Sequence, residues 1–245
     1  MKTSKTVSVI ATVSSLVGVA FAQGEVPPTS PPPPAGATAP AAAPAAAAAP
    51  VSAPASAPAP DPHADGARTH DGFFFRIGLN VGPLMLSADT TPETKWSGVQ
   101  SGFDLMFGGS PMEGLAIGGA LIGGRTTDPK AEVGGQEGTM KGSMLFAGLA
   151  VFGDYYLNPH EGLHFQGMIG FSAVDFVAES GASGGNDPTG TLFGLGVGYD
   201  FWIGDEWSIG PFGRVIYSSL SADAGGASLK YSYLYPSIGL AFTLH

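Results

Sequence analysis

Among its 245 residues the chain has no cysteine. That excludes a disulfide framework and a lipid carried on a cysteine. Charge is scarce at 12 % of residues, and only 10 Lys and Arg stand against 20 Asp and Glu. With a formal net charge of −10 and no cluster of basic residues, nothing here tracks a phosphate backbone, so nucleic acid is excluded as a partner. No run approaches about 18 consecutive apolar residues, which excludes a membrane-spanning helix. An exported chain without disulfides must draw its stability from packing or from a closed sheet.

Export itself is legible at the start of the chain. Lys2 and Lys5 precede a Val/Ala/Leu-rich run, and Ala20 to Ala22 ("AFA") fit a small-residue cleavage site before Gln23. Residues 1–22 therefore read as a secretory signal peptide. Residues 23–70 read as a Pro/Ala-rich disordered linker. Such a composition has little to bury, favours extended polyproline backbone, and spans up to roughly 100 Å over its Pro/Ala/Ser core. The folded domain is expected at 71–245.

What is plentiful there is glycine, set in strict alternation with large apolar residues. In "FFFRIGLNVG", Phe73, Phe75, Ile77, Leu79 and Val81 share one face, and Phe74, Arg76, Gly78, Asn80 and Gly82 share the other. That is the period of a strand. Seven further segments repeat it, in "VQSGFDLMFGG", "GLAIGGALIGG", "LFAGLAVFGDYYL", "LHFQGMIGFSA", "LFGLGVGYDFWI", "WSIGPFGRVIYS" and "YPSIGLAFTLH". Tight turns at "GGSPMEG", "LNPHEG" and "GDEW" alternate with longer polar connections at Ser87–Ser97, Arg125–Ser143, Asp175–Thr189 and Ser219–Ser228. Short and long connections in alternation describe an up-and-down meander.

The minority face is small and polar and the majority face is large and apolar. A soluble sandwich would show charge outside; a narrow membrane barrel shows lipid its apolar face and keeps the polar one within. Closure follows, because an open sheet edge is not tolerated in a bilayer. The reading is all-β: an eight-stranded antiparallel up-and-down transmembrane barrel of strands about ten residues long or slightly more. Aromatics near the strand ends, with Phe107, Tyr155, Tyr156, Trp202 and Trp207 by the short turns and Tyr217 by the long loops, read as girdles at the two membrane interfaces.

In these respects the segment from residue 72 to 245 resembles the small eight-stranded outer-membrane barrels of the OmpA/OmpX/OmpW kind. The most specific piece is the last strand, where Ser237, Gly239, Phe242 and Leu244 stand where such proteins carry the signal read by the barrel-assembly machinery. His245 departs from the aromatic residue usual at its place. The resemblance implies a bacterial outer-membrane location, with linker and short turns periplasmic and long loops outside. It implies outer-membrane lipid and the assembly machinery as partners, peptidoglycan reached through the linker, and a monomer. It carries over no catalytic residue.

One motif points elsewhere. His160 to His164 spell H-E-x-x-H, which on a helix places two imidazoles on one zinc with the Glu as base. Asn158-Pro159 and Gly162 make a turn instead, and on a strand the two His stand about 13 Å apart, too far to share an ion. No metal and no cofactor are expected. The histidines of "DPHADGARTHDG" read as solvated groups on the tether. The informative charges point inward: Arg76, Asp104, Asp154, Asp200 and Arg214, which must pair or be hydrated. The favoured reading is a non-enzymatic barrel with a structural or surface-interaction role, its lumen filled by an ion-pair network beneath acidic loops. The alternative is a narrow channel for small solutes, made room for by the lumen glycines. A third, an outer-membrane hydrolase, needs Ser, His and acid groups together.

Overall fold

The computed structural model describes residues 68–182, 187–224 and 227–245. The expected signal peptide and almost all of the expected linker lie outside the described residues. Among the described residues eleven strands form: β1 Gly72–Ala88, β2 Thr94–Met112, β3 Leu115–Thr127, β4 Lys130–Val133, β5 Gln136–Thr139, β6 Gly142–Tyr156, β7 Leu163–Ala178, β8 Thr189–Tyr199, β9 Phe201–Trp202, β10 Trp207–Ala224 and β11 Ala227–Leu244.

Eight of them make a ring. Each of β1, β2, β3, β6, β7, β8, β10 and β11 pairs antiparallel with the next, and β11 closes on β1 from Phe75↔Leu244 to Ala88↔Tyr231. Closure satisfies the backbone N–H and C=O groups that a bilayer cannot hydrate. Alternation then sorts the side chains. Phe73, Leu79, Val99, Leu149, Phe171, Leu195, Ile238 and Leu240 are all more than half exposed on the outer wall. So continuous an apolar surface is far larger than a water-soluble monomer presents and belongs against lipid.

The ring strands run 11 to 19 residues, longer than expected, and extend into all four polar connections, taking up most of Ser87–Ser97 and Ser219–Ser228. β1 and β2 stay paired up to Ala88↔Thr94, and β10 and β11 up to Ala224↔Ala227. Beyond the lipid-facing band the outer face of a strand meets water, so hydropathic alternation fades while backbone pairing continues. The Arg125–Ser143 connection carries its own hairpin, β4–β5, laid on β2 from Thr94↔Val133 to Ser97↔Lys130. Gly134 and Gly135 both take positive φ at its tip, the two-residue turn that suits strand twist. The opposite end closes tightly, with Glu113 and Gly114 alone between β2 and β3, and residues 157–162 and 203–206 completing the other turns.

Inside, the lumen divides along its axis. Toward the long connections it is filled by Leu84, Leu86, Met144, Phe146, Val174, Leu192, Ile216, Leu220 and Tyr233, with Trp96, Phe176 and Tyr231 packed over them. Toward the short turns charged and polar side chains gather beside Phe74, Met106, Ala116 and Phe152. The expected ion-pair network therefore shares the lumen with an apolar core. Parity of β1 already placed Leu84 and Leu86 inward, but their size broke the small-and-polar pattern of the rest of that face.

Candidate functional site in the barrel lumen

Alternation along β1, β2, β6 and β10 turns Arg76, Asp104, Asp154 and Arg214 inward, and Asp200 follows β8 on the same face. All five are buried at 3 % exposure or less. They form two hydrogen-bonded groups rather than one network. In the first, nearest the turns, Arg76 Nη1 lies 2.5 Å from Asp154 Oδ2 and Arg76 Nη2 lies 2.9 Å from Asp200 Oδ2. Arg76 Nε donates to Thr243 Oγ1 at 2.9 Å, and Tyr156 Oη donates to Asp200 Oδ2 at 2.8 Å. In the second, nearer mid-barrel, Arg214 Nη2 meets Asp104 Oδ1 at 2.8 Å. The same level holds amides and hydroxyls, with Gln100 Nε2 donating to Tyr233 Oη and Tyr235 Oη donating to Asn80 Oδ1, both at 2.7 Å. Buried charges in such a site are tolerable only when paired; each of these has an opposite partner, although Arg214 Nε makes no hydrogen bond.

Three histidines join the turn-side group, none of them among the expected site residues. His164 Nδ1 lies 2.5 Å from Asp154 Oδ1, and Gln166 Nε2 donates to the other oxygen at 3.1 Å. His70 is 1 % exposed, stacked on Tyr156 at 3.5 Å between centroids and on Trp202 at 4.7 Å. This corrects its assignment to a solvated tether: an aromatic floor receives the ring, and the fold begins before residue 71. His245 turns under the barrel, its Nδ1 3.0 Å from His70 Nδ1 and its Nε2 3.1 Å from Ser208 Oγ. His70 and His245 stand 175 positions apart, so no local pattern announces their contact.

Two girdle assignments change as well. Tyr156 is 1 % exposed and points into the charged group, because it shares inward parity with Asp154 and cannot face lipid beside Tyr155. Trp202 likewise turns under the barrel against His70 and His245. Phe107, Tyr155, Trp207 and Tyr217 remain on the outer wall, each between 42 % and 51 % exposed. Of the last-strand residues, Ser237 is buried inside, Phe242 lies outward and about half exposed, and Gly239 packs against Phe212 where any side chain would collide.

Four lumen glycines lie against neighbouring side chains. A methyl group added at Gly78 would overlap the Asp104 carboxylate, and one at Gly198 would overlap His164 Nε2. The same holds for Gly210 against Asp200 and Gly194 against Met168. Each of these four glycines is the seat of a neighbouring side chain, so its missing Cβ is space already taken.

The H-E-x-x-H residues do not come together. His160 and Glu161 sit exposed in the 157–162 turn, where Asn158 Oδ1 accepts from the His160 backbone N–H at 3.1 Å, while His164 lies inside on β7. Among the described residues, no group of three or more His, Asp and Glu side chains is placed to hold a metal ion. Ser208 and His245 do not make a hydrolytic triad. Asp200 lies 3.9 Å from the same ring nitrogen that faces the serine, and the other nitrogen lies 3.0 Å from His70 Nδ1. A triad needs the acid on the far nitrogen and a serine open to substrate, whereas Ser208 is fully buried.

No curated protein matches the chain. Among solved structures, the outer membrane protein OprG from Pseudomonas aeruginosa is similar at 14 % identity, over 73 % of this chain and 99 % of that one, with a TM-score of 0.43. Neisserial surface protein A is similar at 8 % identity over 68 % and 95 %, TM-score 0.42. The attachment invasion locus protein Ail of Yersinia pestis is similar at 13 % over 71 % and 99 %, TM-score 0.36. A family model described as the Autotransporter beta-domain matches residues 87–237, more than half of the sequence and most of the ring. With its closed antiparallel barrel and lipid-facing wall, the chain is an integral β-barrel of the bacterial outer membrane and belongs to the Autotransporter beta-domain family.

Proposed function

We propose that this barrel is a non-enzymatic, non-conducting structural element of the outer membrane that presents its long connections as a surface for interaction. The observation that carries this reading is the occupancy of the lumen: paired charges fill the turn side, an apolar core fills the loop side, and the glycine positions between them are seats for neighbouring side chains. The channel alternative rested on room left by those glycines and loses that premise. The hydrolase alternative finds its serine buried and its acid misplaced.

In this reading the short turns and the linker of residues 23–70 face the periplasm, and the linker reaches toward peptidoglycan. The long connections and the β4–β5 hairpin face outward, carrying Asp89, Glu93, Asp128 and Glu137, of which Glu93 pairs with Lys95 and Asp128 with Lys141. Ser237, Gly239, Phe242 and Leu244 serve recognition by the assembly machinery, and the protein acts as a monomer in lipid. Planar-bilayer recording on refolded protein tests the central point. Membranes that stay silent under applied voltage are expected; steady single-channel steps would overturn the reading.

A further inference from the structure

The short-turn end of the barrel is closed by a piece of the chain that precedes β1. Over Arg68 to Asp71 the backbone makes one hydrogen bond to each of the three turns at that end. Arg68 N–H donates to Asp205 C=O at 2.8 Å, His70 N–H donates to Pro159 C=O at 2.9 Å, and Gly114 N–H donates to His70 C=O at 2.8 Å. A segment bound to all three turns is a strap across the opening. Its only large buried side chain is His70, held flat between Tyr156 and Trp202 with His245 edge-on at 4.1 Å.

The hydrogen bonds limit the charge this cage can hold. His70 Nε2–H donates to Glu161 C=O at 3.1 Å, and its Nδ1 faces the His245 ring, 3.0 Å from Nδ1 and 3.2 Å from Nε2. His245 Nε2 also lies 3.1 Å from Ser208 Oγ. With both rings protonated, two cationic N–H groups face each other at this distance inside a cage of aromatic rings that water does not reach.

We propose that residues 68–71 are a proton-releasable latch: the neutral His70–His245 pair holds the strap over the turn end, and protonation of that pair lets the strap go. Every element packed around the cage bears on this. Asp200, beyond β8, favours the charged rings, and its nearest oxygen is 3.9 Å from His245 Nε2. Arg76 on β1 and His164 on β7 oppose them, and Tyr156 on β6 and Trp202 on β9 exclude water. Desolvation by burial is the largest influence on His70 and outweighs Asp200, holding the ring at about 4 against 6.5 for a free imidazole. Burial, then the neighbouring His70, drives His245 lower still. Both values are depressed in the docked state, so the undocked strap binds protons first. Docking is strongest above 6.5, weakens as pH falls through that value, and loses all of this contribution below about 4. From His70 alone the undocked fraction rises roughly thirtyfold between pH 8 and pH 5.

The absence of native cysteine makes the test direct. The full chain carrying Thr69→Cys, a buried strap position, is refolded in detergent and its maleimide labelling rate is measured from pH 8 to pH 5. The rate is divided by that of Thr139→Cys in the exposed β5 hairpin, which removes the intrinsic pH dependence of the thiol. The ratio is expected to rise roughly thirtyfold, and to lose that rise when His70→Phe, which keeps the stacking but cannot titrate, is added. A flat ratio, or an unchanged rise with His70→Phe, overturns the latch. Retention of the heat-modifiable gel band by each variant shows that the barrel is intact, and labelling reports the strap whether or not the lumen conducts.

Discussion

The two halves of the lumen solve the same problem by opposite chemistry. On the loop side Phe146 stacks on Tyr233 at 4.4 Å between centroids, within a cluster of aliphatic side chains that bring no charge inside. On the turn side two arginines, three aspartates and three histidines are buried in partnership. Apolar filling tolerates small errors, because a lost methyl group forfeits contacts in proportion to the space left. Charged filling is all-or-none, because a missing partner strands an ion in a medium that cannot solvate it. The half that adjoins the short turns is thus the brittle one, and the half beneath the long connections is the forgiving one.

The comparison is broken most sharply at Arg76. Its removal strands Asp154 and Asp200, so Arg76→Ala is expected to cost roughly 3–5 kcal/mol in urea unfolding followed by tryptophan fluorescence. An unfolding midpoint equal to that of the parent would show that the two aspartates are neutral or hydrated. Next comes Leu192→Ala on the loop side, expected to cost roughly 2–5 kcal/mol by the same assay. Its labelling at the Thr69→Cys strap should stay at the parent value, since the cavity lies in the other half.

The glycine seats sharpen the contrast further. Gly198→Ala drives a methyl group into His164 Nε2 and is expected to cost roughly 1–3 kcal/mol, whereas Gly167→Ala, with open space around it, should leave stability unchanged. Equal behaviour of the two would mean that His164 moves aside freely. The smallest effect is expected outside the barrel altogether. Lys141 pairs with Asp128 across solvent at 3.5 Å, and Lys141→Ala should leave the unfolding midpoint where it was.

Much of this was legible before any coordinates. Parity along "FFFRIGLNVG" put Arg76 inside and Phe73 outside, and the same rule applied to "GDYYL" would have moved Tyr156 inside with Asp154. The Gly-Gly pair at residues 134 and 135 is a hairpin signal in an otherwise polar connection, and it marks β4–β5. The base cage was not legible. His70, His164 and His245 lie on separate segments, and only the closing of β11 on β1 brings the last of them under the first.

The sequence by itself determined the strand period, the lipid-facing wall, the need for closure and the identity of the inward charges, because these depend on alternation and on the dielectric of a bilayer. Tertiary structure alone decided which charges pair, how the lumen divides into an apolar and a charged half, and that a strap lies across the turns. Those outcomes depend on shear and register around a ring, which set the height of each side chain against its neighbours, and no stretch of chain encodes a height without its partners.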